Sequence, residues 1–230
     1  MASRGCSRSK GSNLRAGNRK DRNQKIGTRV PELGYYLIVT DTEQTEKNYF
    51  KGLRESIPEK YKGRLVIKVE REKTKDLVQR ALELCGEASQ YRIPCIVFDR
   101  DQVKNFDAII QEAKNKNVMV GWSNPCFEIW LYAYFGEMPN ITESTKCCTD
   151  FAKKFKDKVG QDYEKNDSKI YDIMKKYGEE QKAIQIAEKC YLQHTKNGKR
   201  KPSKMIPAST VYILVKEILD RIKSLGGASP

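Results

Sequence analysis

The sequence predicts an α/β protein, with a mostly parallel four-stranded sheet flanked by helices and continued by a helical C-terminal extension. Three observations lead there. Short apolar, β-branched runs alternate with amphipathic stretches through the first half of the chain. Strands separated by helices form βαβ units, and these close into a parallel sheet covered on both faces. From Pro125 onward, helical spacing follows helical spacing.

Tyr35-Tyr36-Leu37-Ile38-Val39-Thr40 reads as the first buried strand. The helix predicted after it, Thr42 to Arg54, places Tyr49, Phe50 and Leu53 on one face. Arg64 to Val69 is the second strand. Thr74 is the expected cap of a helix carrying Leu77, Val78, Ala81, Leu82 and Cys85. Ile93 to Phe98 is the third strand and runs straight into acidic residues. A helix over Phe106 to Lys116 follows, and then a fourth strand, Val118 to Trp122. Asn124 as N-cap and Pro125 as first helical residue are expected to open a helix over Cys126 to Phe135. Further helices are expected near 147–157, 168–176, 179–192 and 208–224, with a polar basic loop from His194 to Pro207. The organisation expected is a disordered basic arm (1–33), an α/β core (34–124) and a helical extension packed on it (125–230).

Composition narrows the function classes. No apolar run approaches the roughly 20 residues of a membrane-spanning helix, and the polar start lacks the apolar core of a secretory signal. The seven cysteines are odd in number and contain no C-x-x-C pair. A reducing cytoplasmic location is therefore expected. With one histidine, His194, a zinc site is not expected. The net charge of +14 is unevenly placed: residues 1–31 hold nine Lys/Arg and one acid, Asp21. Such a segment attracts phosphate backbones through counterion release. A second basic run, Lys196, Lys199, Arg200, Lys201 and Lys204, precedes the last helix and can also contact phosphates.

In parallel sheets, ligands bind at the C-terminal strand ends. Here those positions are Asp41, Glu70, Asp99 and Ser123-Asn124. If Asp99-Arg100-Asp101 stays extended, both carboxylates point the same way and can share a hard cation such as Mg²⁺ or Mn²⁺. Asp41 brings a second acid to the same edge, with Glu43 and Glu46 close behind. Glu46 suits the first turn of a helix, where negative charge is favoured, whereas that explanation fits Asp41 poorly. There is no Gly-rich dinucleotide loop and no G-x-x-x-x-G-K-[ST] loop, so nucleotide hydrolysis by this chain alone is not expected.

These segments resemble the motifs of RloB-like proteins. Val39-Thr40-Asp41-Thr42-Glu43-Gln44-Thr45-Glu46-Lys47-Asn48-Tyr49-Phe50 is similar to the opening motif, with Asp41-Thr42 where the family has Glu-Gly. Val97-Phe98-Asp99-Arg100-Asp101 resembles the second motif, and Ser123-Asn124-Pro125-Cys126-Phe127-Glu128-Ile129-Trp130-Leu131 the third. Tyr163 to Asp167 and Pro207 to Val211 also match. The resemblance implies a Toprim-type fold and a metal-dependent nuclease acting with an ABC-type ATPase in phage defence. It gives Asp41 the general acid or base role, with Glu43 as an alternative. Asp99 and Asp101 would hold Mg²⁺ or Mn²⁺, Glu128 would be a further metal-facing carboxylate, and Lys165 a phosphate contact. The substrate would be DNA or RNA, tRNA included, and a homodimer is one expected form. The alternative is a catalytically degenerate nucleic-acid-binding or regulatory subunit on the same scaffold.

Overall fold

The computed structural model describes residues 34–41, 44–62, 65–86, 92–101 and 103–226. The expected basic arm and Glu43 lie outside the described residues.

Strands β1 (Gly34–Thr40), β2 (Leu65–Arg71), β3 (Arg92–Asp99), β4 (Met119–Asn124) and β5 (Ala208–Ser209) form one sheet in the order β2-β1-β3-β4-β5. The first four run parallel, as the alternation of strands and helices predicts, and β5 joins β4 antiparallel. Thr40 pairs with Arg71 and Val97, and Asp99 pairs with Ser123, so β1 to β4 end on one common edge.

Side chains alternate across the strands and feed two cores. Leu37, Val39, Ile96, Phe98 and Trp122 face one way, against helices α3 (Leu77–Gly86) and α4 (Phe106–Asn115). Tyr36, Ile38, Cys95 and Val97 face the other way. There they meet α1 (Thr45–Glu55), α2 (Glu59–Lys62), α5 (Glu128–Tyr134), α6 (Ser144–Val159), α7 (Ile170–Tyr177), α8 (Glu180–Lys196) and α9 (Val211–Gly226). The chain after residue 124 thus supplies most of one face. No helix among the described residues is long and apolar enough to cross a membrane.

Four local expectations change. The sheet has a fifth strand where a helix was expected from 208. Two residues are too few to show a period-two pattern, and what holds β5 is contact with β4. Thr210 N donates to Trp122 O at 2.8 Å, Trp122 N donates to Thr210 Oγ1 at 3.0 Å, and the Ser123 and Ser209 hydroxyls meet at 2.9 Å. Asn124 is the last residue of β4 rather than a helix cap, and α5 opens at Glu128. The Asn124 amide instead donates to the carbonyls of Pro202, Ser203 and Met205 at 3.2, 3.4 and 3.0 Å. Thr74 opens a 3-10 turn (Thr74–Asp76) and leaves its hydroxyl for Asp41. Helix α8 runs through His194, which is buried with Nε2 2.8 Å from Pro207 O, so the polar loop starts later than expected.

Candidate active site at the C-terminal edge of the sheet

Asp41 follows β1 directly and its amide donates to Val97 O on β3. Asp99 is the last residue of β3. The pairing of Thr40 with Val97 puts these aspartates on adjacent strands, one residue out of step. Asp99 feels burial first and then the charges of Glu46, Asp41, Glu128 and Asp101, and all five push its carboxyl well above the usual range. Burial and then Glu46 carry Asp41 up to about 7, against the hydrogen bond from Thr74, its own amide and the Arg71 charge. Among the described residues, the edge therefore brings four other carboxylates to bear on Asp99.

Two features leave the gathering open to a cation. Asp41 Oδ2 accepts from Thr74 Oγ1 at 3.3 Å, but its buried Oδ1 has no hydrogen-bond partner among the described residues. Arg100, between Asp99 and Asp101 in sequence, turns away: Nη1 donates to Val103 O at 2.7 Å and the guanidinium lies over the Phe106 ring.

Asp101 departs from the extended arrangement expected of it. The chain turns after β3, and the Asp101 amide donates to Asp99 Oδ1 at 3.1 Å. A hydrogen bond to the neighbouring backbone competes with extension at such positions. The Asp101 side chain is exposed and lines a cleft of about 480 Å³ with Thr74, Lys75, Lys104 and Asn105. It reaches Asp99 electrostatically rather than as a parallel arm.

Glu46 was expected to be a first-turn helix charge, and it does occupy the first turn of α1. It is also 4% exposed, on the same buried stripe as Tyr49, Phe50 and Leu53. Its charge acts on both Asp41 and Asp99, which makes it a member of the site that the sequence reading left out. The available signal was spacing. A glutamate three, four and seven residues before buried apolar positions sits on the inward face.

Glu128 opens α5 and is 2% exposed. Burial pushes its carboxyl up. Lys165 beside it, with Cys126, its own amide and Cys148 acting in the same direction, outweighs burial and holds it below the usual range. Lys165 Nζ lies 3.2 Å from Glu128 Oε1, and the Tyr163 hydroxyl donates to the same oxygen at 3.1 Å. Lys165 is thus committed to Glu128, although half exposed. The segment bearing it clasps α1: Thr45 Oγ1 donates to Lys165 O at 2.9 Å and Asn48 Nδ2 to Asn166 O at 2.9 Å.

Among the described residues, the atoms of Cys126, Glu128 and Cys148 all lie within 4.8 Å of one another, so this group could hold a metal ion. The aspartates do not close into such a three-ligand group there. Two thiols suit a softer metal than Mg²⁺ or Mn²⁺, which take oxygen ligands. The donors at the sheet edge are carboxylate oxygens, which suit hard ions. Mg²⁺ commonly uses one or two carboxylates and keeps waters, so a closed protein cage is not required.

The basic loop divides. A 3-10 turn, Pro202–Lys204, is fastened to α4, where Ser203 N and Oγ donate to Asp107 at 2.8 and 2.6 Å. With Asn124 holding the same turn, Lys201 and Lys204 come to the end of β4, beside β3. Arg200 is exposed just before them. Lys199 instead lines a separate cavity with Cys190, His194 and Pro207.

The RloB-like protein family model matches residues 36–218. No curated protein and no solved structure matches the chain. The matched span runs from β1 into α9 and takes in every described carboxylate of the edge, and on that match the chain belongs to the RloB-like family.

Proposed function

We propose that the protein is a divalent-metal-dependent nuclease of Toprim type, hydrolysing phosphodiester bonds in DNA or RNA. The observation that carries this reading is the set of buried and part-buried carboxylates at the C-terminal sheet edge, with Asp41 Oδ1 left without a hydrogen-bond partner among the described residues. Gathering like charges is costly unless a cation neutralises them. The donors are carboxylate oxygens, which fit Mg²⁺ or Mn²⁺. Asp41 and Asp99 would hold the ion, with Asp101 reaching it from the cleft side. When bound, the ion supplies positive charge against a phosphodiester oxygen. The resemblance gives Asp41 the general acid or base role; its carboxyl, carried up to about 7 without a cation, would fall once an ion is bound beside it. Lys201 and Lys204, at the end of β4, are suited to contact the phosphate backbone.

The resemblance to phage-defence proteins supports two further parts of the proposal. The nuclease acts in the reducing cytoplasm, and a partner ABC-type ATPase releases its activity.

The test is cleavage of DNA and RNA, tRNA included, with Mn²⁺ or Mg²⁺ against a chelator control. Asp41→Ala and Asp99→Ala should each lower cleavage at least about 100-fold, and Asp99→Ala should abolish Mn²⁺-induced thermal stabilisation, while the circular dichroism spectrum stays unchanged. Full cleavage by the double variant would overturn the assignment. Salt-sensitive binding with no metal-dependent turnover, with or without the ATPase, would instead identify a binding subunit.

A further inference from the structure

The cleft of about 480 Å³ beside the carboxylate edge is walled by the 3-10 turn Thr74–Asp76 and by the first two turns of α4. Two contacts tie its wall to the edge. Thr74 donates to Asp41 Oδ2, and the Asp101 amide donates to Asp99 Oδ1. On the α4 side, Asn105, Ala108, Ile109 and Glu112 share one face by their spacing, and that face lines the cleft.

The lining carries three kinds of group. Lys75 and Lys104 are exposed; Lys75 comes only within 3.9 Å of Asp76, and Lys104 enters no ion pair among the described residues. Glu112, by contrast, is held by Lys116 at 2.7 Å. Val103, Ala108 and Ile109 supply apolar surface. Asn105 precedes α4 yet makes no side-chain capping hydrogen bond, so its amide keeps a donor and an acceptor side by side. Cations suit a phosphate, apolar surface suits the face of a base, and a paired donor and acceptor suit its edge.

We propose that this cleft seats one unpaired nucleotide of the substrate strand. Its phosphate lies on Lys75 and Lys104, its base against Val103, Ala108 and Ile109, and its base edge on Asn105. That the next phosphate is the one cut is the part that rests on the nuclease reading. The volume falls low in the roughly 300–1,000 Å³ of small-ligand sites, which suits a single nucleotide rather than the side of a duplex. A base enters such a cleft only after leaving its stack, and that costs least in single strands, loops and mismatches. The substrate class is therefore DNA or RNA with unpaired nucleotides. The turn bearing Lys201 and Lys204 is fastened to Asp107, which helical spacing puts on the side of α4 away from the cleft. The cleft reaches the ends of β1 and β3 and the turn sits at β4, so the strand has cations on both sides of Asp99.

The test reads occupancy of the cleft without cleavage. Full-length protein in EDTA is mixed with a short RNA strand carrying 4-thiouridine, single or paired into a duplex, then irradiated and mapped by mass spectrometry. The single strand should cross-link within residues 103–109 and bind about 10-fold more tightly than the duplex. Ala108→Leu fills the cleft without adding charge or an aromatic face. It should abolish that cross-link and weaken single-strand binding about 10-fold, with duplex binding and the circular dichroism spectrum unchanged. Asn105→Ala should weaken single-strand binding at least about 5-fold. Lys75→Ala with Lys104→Ala should flatten the slope of log K against log salt by about 0.7 per lost contact. Equal binding of strand and duplex with no cross-link in the cleft, or a cross-link that survives Ala108→Leu, would overturn the proposal. A nucleoside monophosphate that binds as tightly as the strand and blocks the cross-link would overturn the strand as occupant. A cross-link in the cleft with no cleavage by any preparation would uphold the nucleotide seat while the nuclease reading fails; metal-dependent cleavage with no cross-link there would do the reverse.

Discussion

Asp99→Asn removes one charge from the edge and leaves shape almost intact. Asparagine keeps an oxygen to accept the Asp101 amide, now 3.1 Å from Asp99 Oδ1. The magnitude follows from the register: Asp41 and Asp99 stand one residue out of step on neighbouring strands. Strands about 4.8 Å apart with a rise of about 3.3 Å per residue put the two Cα atoms roughly 6 Å apart, and the one-residue offset turns the side chains towards opposite faces, so the carboxylates stand about 8–10 Å apart. At an effective dielectric constant of about 20, two unit charges there repel by about 2 kcal/mol. Glu46 and Glu128 add to this, and salt and water subtract, so about 1–3 kcal/mol is expected. The sign is set by linkage. Carboxyls raised in the fold bind more protons folded than unfolded, so stability falls as pH climbs from the unfolded carboxylate range through the raised folded values. For Asp41 that window runs from 3.8 to about 7, and Asp99 is shifted in the same direction. Urea denaturation in EDTA should therefore show wild type and Asp99→Asn close together at about pH 4. By about pH 8 the variant should be more stable by about 1–3 kcal/mol. Mn²⁺ should reverse that order by stabilising only the wild type. A variant less stable than wild type at the higher pH, or a gap that does not change with pH, would refute the repulsion argument.

Three other outcomes are expected. Lys165→Met leaves Glu128, 2% exposed, without its cation; this should cost about 2–4 kcal/mol in chemical denaturation, with Glu128→Gln as a second change recovering most of it. Gly52→Val should destabilise by about 3 kcal/mol in the same assay, because a Cβ at Gly52 would fall 2.5 Å from Tyr171 Cβ where α1 crosses α7; a neutral result would mean those helices do not pack so closely. Lys201→Glu with Lys204→Glu should weaken nucleic-acid binding and flatten the slope of log K against log salt by about 0.9 per lost contact. An unchanged slope would remove that loop from the interface.

Periodicity made the sheet legible, because strands buried on both faces carry continuous apolar runs and each run ends at the same edge. Asp41 and Asp99 were therefore placed by the rule that parallel strands end together. What escaped depended on contacts distant in sequence. β5 exists because Ser209 and Thr210 meet β4, some 86 to 88 residues away. Asn124 carries a capping residue's chemistry, yet three carbonyls of a later turn claim its amide. Asp101 was misplaced because a carboxylate that accepts its own chain's amide two residues on will end a strand. Glu46 was misread because two explanations coincide at one position: the first turn of a helix favours an acid, and so does the site beneath it.

The carboxylates of the edge divide by how they are neutralised, and that division assigns their work. Glu128 has Lys165 and Tyr163 on one oxygen and lies below the usual range. Asp41 and Asp99 are shielded far less and are pushed up. An acid already satisfied by a lysine gains little from a second cation, whereas acids forced together without one gain most. On the proposed reading the aspartates would hold the metal, and Glu128 would act through what it fastens. By holding Lys165 it keeps the 163–166 segment on Thr45 and Asn48, at the first turn of α1. Glu46 is in that same turn, and its inward direction depends on where α1 begins. The third motif thus sets the position of the first, although their strands are not neighbours in the sheet.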